Sequence, residues 1–328
     1  MSRWGIIKIN FLQKDIDTPS IVLHYIRTLT INRDSRGNCM KRRTMLQTLG
    51  AGTAFIGFNT QSNLSAQAAS KNGDLKLGLV TYNMAKDWDV DTIIKNCSET
   101  GFQGVELRTT HAHGVEVSLS ASQRKETKKQ FEDSPITLIG LGSAFDYHTP
   151  DQAKLKKDIE ATKEYMKLAH DVGASGIKVR PNALPKDVPK EKTLEQIGLS
   201  LREVGAFGAD YGVQIRVEVH GRDTSDPRHM KTMMDTADHP NVGVCWNSNA
   251  NDLSGLGWDA NFDLLKSKIF SVHMRDLYDE EYPYRKLYAG LNEIGFKGFC
   301  MAEIQGSDDP IRVMKYYRGL WQALQDII

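Results

Sequence analysis

Residues 193–220 read TLEQIGLSLREVGAFGADYGVQIRVEVH, and the order of elements in this stretch decides the fold. From Thr193 to Tyr211 the chain is amphipathic with helical spacing, and Gly212 stands where a helix C-cap is wanted. The run immediately after it, Ile215-Arg-Val-Glu-Val-His220, is short, β-branched and alternating, the pattern of a strand. A helix that turns on glycine into a buried strand is one unit of an α/β protein built on a parallel sheet.

The same unit recurs on both sides. Strand candidates are KLGLVTY (76–82), GVELR (104–108), ITLIGLG (136–142), GIKVRP (176–181), IRVEVH (215–220), VGVCWN (242–247), IFSVHMRD (269–276) and GFCMAEI (298–304). Amphipathic stretches separate them, such as Asp151–Val172, where Asp151 after Pro150 reads as an acidic first-turn residue. Gly101, Gly173, Gly212 and Gly295 mark helix-to-strand turns. Eight such units over about 250 residues are the count and length of a single-domain (β/α)8 TIM barrel. An open, doubly wound sheet is the competing arrangement, but no G-x-G-x-x-G follows the first strand.

A barrel of this kind places its chemistry at the C-terminal ends of its strands. There the sequence concentrates ionisable groups: Glu106 and Arg108 with His111 and His113 beyond, Lys178 and Arg180, then Arg216, Glu218 and His220. Asn247, His273 with Arg275 and Asp276, and Glu303 with Gln305 close the last three strands. Residues two apart share a face, so Glu218 goes with Arg216 and His220, and His273 with Arg275. Charges inside a barrel are costly unless paired or metal-bound. Two glutamates, a histidine and a carboxamide at four successive strand ends point to a divalent-metal site. Arg108, His111, His113, Lys178, Arg180, His220 and Arg275 are candidates for substrate contact, with Lys178 and Arg180 alternatively internal ion-pair partners of Glu106 or Glu218. Trp246 and Trp258 are candidates for stacking on the apolar face of a ligand ring, and either could equally be core.

The motifs VEVHG, VCWNSN, VHMRD and MAEI, with the whole span from about residue 75 to 328, resemble the xylose isomerase-like sugar phosphate isomerase and epimerase superfamily. The resemblance implies one divalent ion, Mn2+, Mg2+, Co2+ or Zn2+, held at the positions of Glu218, Asn247, His273 and Glu303. Asn247 departs from the usual aspartate; its carboxamide oxygen can ligate a hard cation, with one negative charge fewer. The resemblance also implies the catalytic pair Glu218 and Glu303, which would exchange protons with a keto sugar through an enediolate. The same enediolate could expel a β-substituent, so a 3-keto-glycoside lyase is the alternative, and a non-catalytic carbohydrate-binding barrel a further one. Relatives often dimerise, which leaves a homodimer open.

Composition narrows the partners. Of 328 residues, Lys plus Arg number 42 and Asp plus Glu 41, so no bulk field gathers nucleic acid or an anionic membrane. This argues against a nuclease on the same barrel and for a small-molecule sugar. The segment MKRRTMLQTLGAGTAFIGF (40–58) resembles a twin-arginine export signal through Arg42 and Arg43, with cleavage expected near Ala68. On that reading residues 1–39 are an extension from a start called too early, 40–68 the signal, and 69–328 the exported, periplasmic barrel. With Cys39 outside the mature chain, Cys97, Cys245 and Cys300 are expected as buried free thiols.

Overall fold

The eight apolar runs form eight parallel strands that close on one another in sequence order, β1 pairing with both β2 and β8. This computed structural model describes residues 75–326. The extension over 1–39, the signal over 40–68 with its cleavage near Ala68, and Cys39 lie outside the described residues. In chain order the elements are β1 (Lys76–Val80), α1 (Val90–Thr100), β2 (Gly104–Arg108), α2 (Ala121–Glu132), β3 (Thr137–Gly142), α3 (Gln152–Val172), β4 (Gly176–Val179) and α4 (Lys190–Asp210). The second half continues with β5 (Gln214–Glu218), α5 (Pro227–Ala237), β6 (Val242–Asn247), α6 (Trp258–Leu265), β7 (Ile269–Met274), α7 (Tyr284–Glu293), β8 (Phe299–Ala302) and α8 (Pro310–Leu324). Every β-to-β connection is a helical crossover, so the (β/α)8 barrel expected from the repeats is the fold. No helix among the described residues is long and apolar enough to cross a membrane.

Alternation sorts the side chains. Outward-facing residues such as Leu77, Val105, Ile177, Val217, Val244 and Val272 are fully or almost fully buried beneath the helices, each worth about 1.5–3 kcal/mol on removal from water. The helices contribute the other half of that layer, for instance Ile197, Leu201 and Val204 of α4. Cys97, Cys245 and Cys300 are free and buried, as expected. The inner face carries polar residues towards the C-terminal mouth. Below them Arg216 crosses the interior, donating to the Ile139 carbonyl (3.0 Å), Ser175 Oγ (2.9 Å) and Gln214 Oε1 (3.2 Å). It needs glycine opposite: a Cβ on Gly176 would lie 2.6 Å from the guanidinium carbon.

Local signals were partly displaced. Gly101, Gly173, Gly212 and Gly295 all adopt the left-handed backbone expected at helix-to-strand turns, with φ of 66–82°. Asp151, however, is the N-cap itself rather than a first-turn residue: its carboxylate accepts from the Ala153 and Lys154 amides. The cap of α4 is Tyr211, with Gly212 one residue further on. Several strands stop short of the run that announced them, β5 at Glu218 and β7 at Met274. The apolar pattern persists beyond the ladder because residues such as Val219 and Leu277 remain buried under the loops.

Candidate active site

The parallel register brings consecutive strand ends level. Glu218 of β5 pairs in register with Cys245 of β6, and Asn247 of β6 with His273 of β7, so Glu218, Asn247 and His273 share the inner face near the mouth. Glu303 follows β8, its amide still bonded to the Met274 carbonyl at 2.8 Å. Ligating atoms of Glu218, His273 and Glu303 all lie within 4.8 Å of one another.

Glu218 is anchored at both oxygens. The Lys178 ammonium donates to Oε2 at 2.6 Å and Asn247 Nδ2 to Oε1 at 3.1 Å, in a pocket where Glu218 and Lys178 side chains are each 3% exposed. Burial alone would push the carboxyl up; the charges of Lys178, then His273 and His220, hold it well below the ordinary carboxylate range. Burial likewise works against the Lys178 ammonium, and Glu218 and Glu106 outweigh it. His273 is completely buried between two carboxylates, Nδ1 3.7 Å from Glu303 Oε2 and Nε2 3.4 Å from Glu106 Oε1. Neither ring nitrogen has a hydrogen-bond partner, and neither has Asn247 Oδ1. Buried, unpartnered acceptors are uncommon in folded proteins. Three carboxylate and imidazole ligands beside a carboxamide oxygen suit a divalent cation, and the residues present therefore fit the ion expected from the sequence.

Above this floor opens a cavity of about 380 Å3. Of the expected substrate contacts, Arg108, Arg180, His220 and Arg275 line it with Glu218, Asn247 and Glu303. His220 is half-buried, and desolvation keeps its imidazole towards the neutral form against the pull of Glu218. Lys178 lies beneath, engaged with Glu218, as the ion-pair alternative had it. His111 and His113 are not brought to the cavity. His113 uses both ring nitrogens on the end of β2 and the chain that follows it, one 2.7 Å from the Arg108 carbonyl, the other accepting from the Val115 amide at 3.0 Å. Its ring organises the loop, and the His111 ring lies 6.3 Å from it. Trp246 faces away from the barrel axis, because Asn247 next to it faces inward. It packs edge-on against Phe262 and Trp258 under α6, and its Nε1 donates to Tyr282 Oη at 2.9 Å.

Tyr82, Asp276 and Gln305 also line the cavity and were not among the expected contacts. Each closes or just follows a strand run, which is the signal that could have found them. Glu106 is a further member of the floor, 1% exposed, and Gly142 makes room for it: a Cβ there would lie 2.7 Å from Glu106 Oε1. A larger surface groove, about 640 Å3, runs between α3 and α4; it is lined by Leu155, Ile159 and Leu199 among exposed lysines and glutamates, away from the strand ends.

A family model described as "Xylose isomerase-like TIM barrel" matches residues 94–320. Among solved structures, the chain is similar to L-ribulose 3-epimerase (13% identity, 77% of this chain and 95% of that one, TM-score 0.66). It is also similar to the Escherichia coli 3-keto-D-glucoside 4-epimerase YcjR (12%, 76% and 99%, 0.65). A third is an IolI protein with a binding zinc atom (17%, 77% and 98%, 0.64). At these identities the likeness is one of fold. No curated protein matches the chain in sequence.

Proposed function

Since the chain belongs to the xylose isomerase-like TIM barrel family, we propose that it is a metal-dependent isomerase or epimerase of a keto sugar or sugar derivative. The observation that carries this reading is the convergence of Glu218, His273 and Glu303 within 4.8 Å, beside an unpartnered Asn247 Oδ1, on the floor of an open cavity. The epimerases among the similar structures support the substrate class, and the zinc atom in the IolI structure supports a divalent ion.

Glu218, Asn247, His273 and Glu303 would hold the cation, which when bound acts as a Lewis acid towards the carbonyl and hydroxyl oxygens of a keto sugar. The chain itself handles the proton. Glu218 and Glu303 reach the cavity from different strands, so one carboxylate takes the proton from the carbon beside the carbonyl and the other returns one. Return to the opposite face of that carbon is epimerisation; return to the neighbouring carbon is isomerisation. The two glutamates are not equivalent. Glu218 is fixed by Lys178 and Asn247, whereas the Glu303 side chain accepts no hydrogen bond from a described residue, has His273 as its one ion-pair partner among the described residues, and is 15% exposed. Lys178 is the standing counter-charge for Glu218, and His220 is placed to donate to an oxygen that becomes negative as the proton leaves. The export address read at Arg42 and Arg43 would place this chemistry in the periplasm.

The test is metal content by mass spectrometry on the chain purified without chelator, with Glu218→Gln and Glu303→Gln prepared alongside, followed by solvent-deuterium incorporation into keto sugars. One divalent ion per chain, weakened in both variants, and exchange at the carbon beside the carbonyl are expected. A chain that takes up no manganese, cobalt or zinc would sink the proposal.

A further inference from the structure

The cavity has more positive charge than a neutral sugar needs. Arg108, Arg180 and Arg275 reach it from the ends of β2, β4 and β7. Elsewhere this fold spends arginines on protein acceptors: Arg124 on Asp171 and two carbonyls, Arg202 on two carbonyls, Arg216 on three acceptors inside the barrel. The cavity arginines differ. Among the described residues none of the three has a carboxylate within ion-pair distance, and Arg275 alone makes a side-chain hydrogen bond, to Asn249 Oδ1 at 3.0 Å. Arg180 Nε is buried without a partner. The Arg108 guanidinium lies over the Tyr82 ring, 4.8 Å from its centroid, which fixes its plane while leaving its N–H fork uncommitted.

The local balance makes this a driving force. Three carboxylates also line the cavity, Glu218, Asp276 and Glu303. Glu218 is already neutralised by Lys178, and burial together with Asp279 pushes the Asp276 carboxyl up. Three guanidinium groups therefore face two carboxylates before any cation binds, and a bound divalent ion widens the excess. Sugar hydroxyls can accept from guanidinium groups but cannot supply the missing charge, whereas a planar carboxylate matches an arginine fork in both shape and charge.

Building on the isomerase or epimerase reading, we infer that the substrate is a sugar acid, a keto sugar whose carboxylate is held by Arg108 and Arg180 with Arg275 as the third cation. Arg108 and Arg180 follow strands separated only by β3, about 10 Å apart at the backbone, a span that two arginine side chains can close. A phosphate ester shares the anionic chemistry. Barrels often bind phosphate on backbone amides at a helix start after the seventh or eighth strand; here the start of α8 is filled by the chain's own Asp309, which accepts from the Arg312 amide at 3.2 Å, and at the start of α7 the Tyr284 amide donates to the Tyr282 carbonyl (2.9 Å) and the Lys286 and Leu287 amides to the Pro283 carbonyl (3.0 Å each). That favours the carboxylate.

The experiment is titration calorimetry on the manganese-loaded full chain with three matched probes: D-fructose, D-fructuronate and D-fructose 6-phosphate. D-Fructuronate should bind at least about tenfold more tightly than D-fructose at low salt, the ratio should shrink as sodium chloride is raised, and it should collapse in Arg108→Gln and Arg180→Gln. Equal binding of D-fructose and D-fructuronate, a ratio indifferent to salt, or tighter binding of the phosphate ester overturns the inference and leaves the isomerase reading standing. Failure of all three sugars to bind while manganese is retained overturns the isomerase reading as well. The salt series on the unaltered chain keeps the inference testable should either variant fail to fold.

Discussion

Replacing Lys178 by methionine removes one half of the buried pair beneath the cavity while keeping most of the side-chain volume. The pair is closed at 2.6 Å, and both side chains are 3% exposed, so Glu218 would keep its charge in a place water does not reach, with the Asn247 amide as its remaining side-chain donor and the more distant His273 and His220 as its remaining counter-charges. Breaking a buried pair in this way costs about 3–5 kcal/mol. For a barrel of this size each kcal/mol is roughly 2–4 °C of Tm, so the metal-free variant should melt about 10 °C below the unaltered protein. A divalent ion restores the missing positive charge beside Glu218. The rise in Tm on adding manganese should therefore be larger for Lys178→Met than for the parent, because binding to the native state stabilises by RT ln(1 + c/Kd) at free-ion concentration c and the variant's site should bind the ion more tightly. The double variant Lys178→Met with Glu218→Gln should regain much of the metal-free loss, since no charge is then left buried. Melting in chelator and in manganese by circular dichroism reads all three. An unchanged Tm in chelator, or an identical manganese shift in parent and variant, would refute the argument that Lys178 and the cation compensate the same carboxylate.

Asn247→Asp should tighten metal binding about tenfold or more by adding a carboxylate to the ligand set, while lowering metal-free stability by replacing the donor to Glu218 Oε1 with a like charge; a chelator competition that finds unchanged affinity counts against the assigned ligands. Asp252, buried within the loop after β6, accepts from Tyr282 Oη (2.7 Å) and the Asn249 amide (3.0 Å) on one oxygen, and has the other unpartnered. Burial raises its carboxyl to about 7 from an ordinary 3.8. The folded state thus holds a proton that the unfolded chain gives up, so Asp252 lowers stability progressively as pH rises from about 4 to about 7, by roughly 4 kcal/mol at 1.4 kcal/mol per pH unit. Asp252→Asn should remove that slope, matching the parent near pH 4 and exceeding it at pH 8 in urea unfolding; parallel pH profiles would contradict it.

The fold was legible because a closed parallel barrel needs a repeated local unit, and a repeat is a one-dimensional property. Residues 193–220 display the unit, the glycines at 101, 173, 212 and 295 punctuate it, and the count of eight comes from its recurrence. The convergence of Glu218, Asn247, His273 and Glu303 was legible for a related reason: in a parallel register, strand ends meet at one mouth whatever lies between them. What the sequence could not decide was the environment of each side chain. Trp246 and Asn247 are neighbours, yet one packs under a helix and the other faces the cavity, because the face shown by a strand residue is set by the register of the closed sheet. His113 has the look of a loop ligand in sequence, but in the fold its two nitrogens are spent on backbone groups. Glu106 acquires its place against His273 only because Gly142, 36 positions along the chain on the adjacent strand, leaves room for it. Which arginines are committed to the protein and which stay open to a ligand depends on distances across the barrel, and those exist only once the eighth strand has closed on the first.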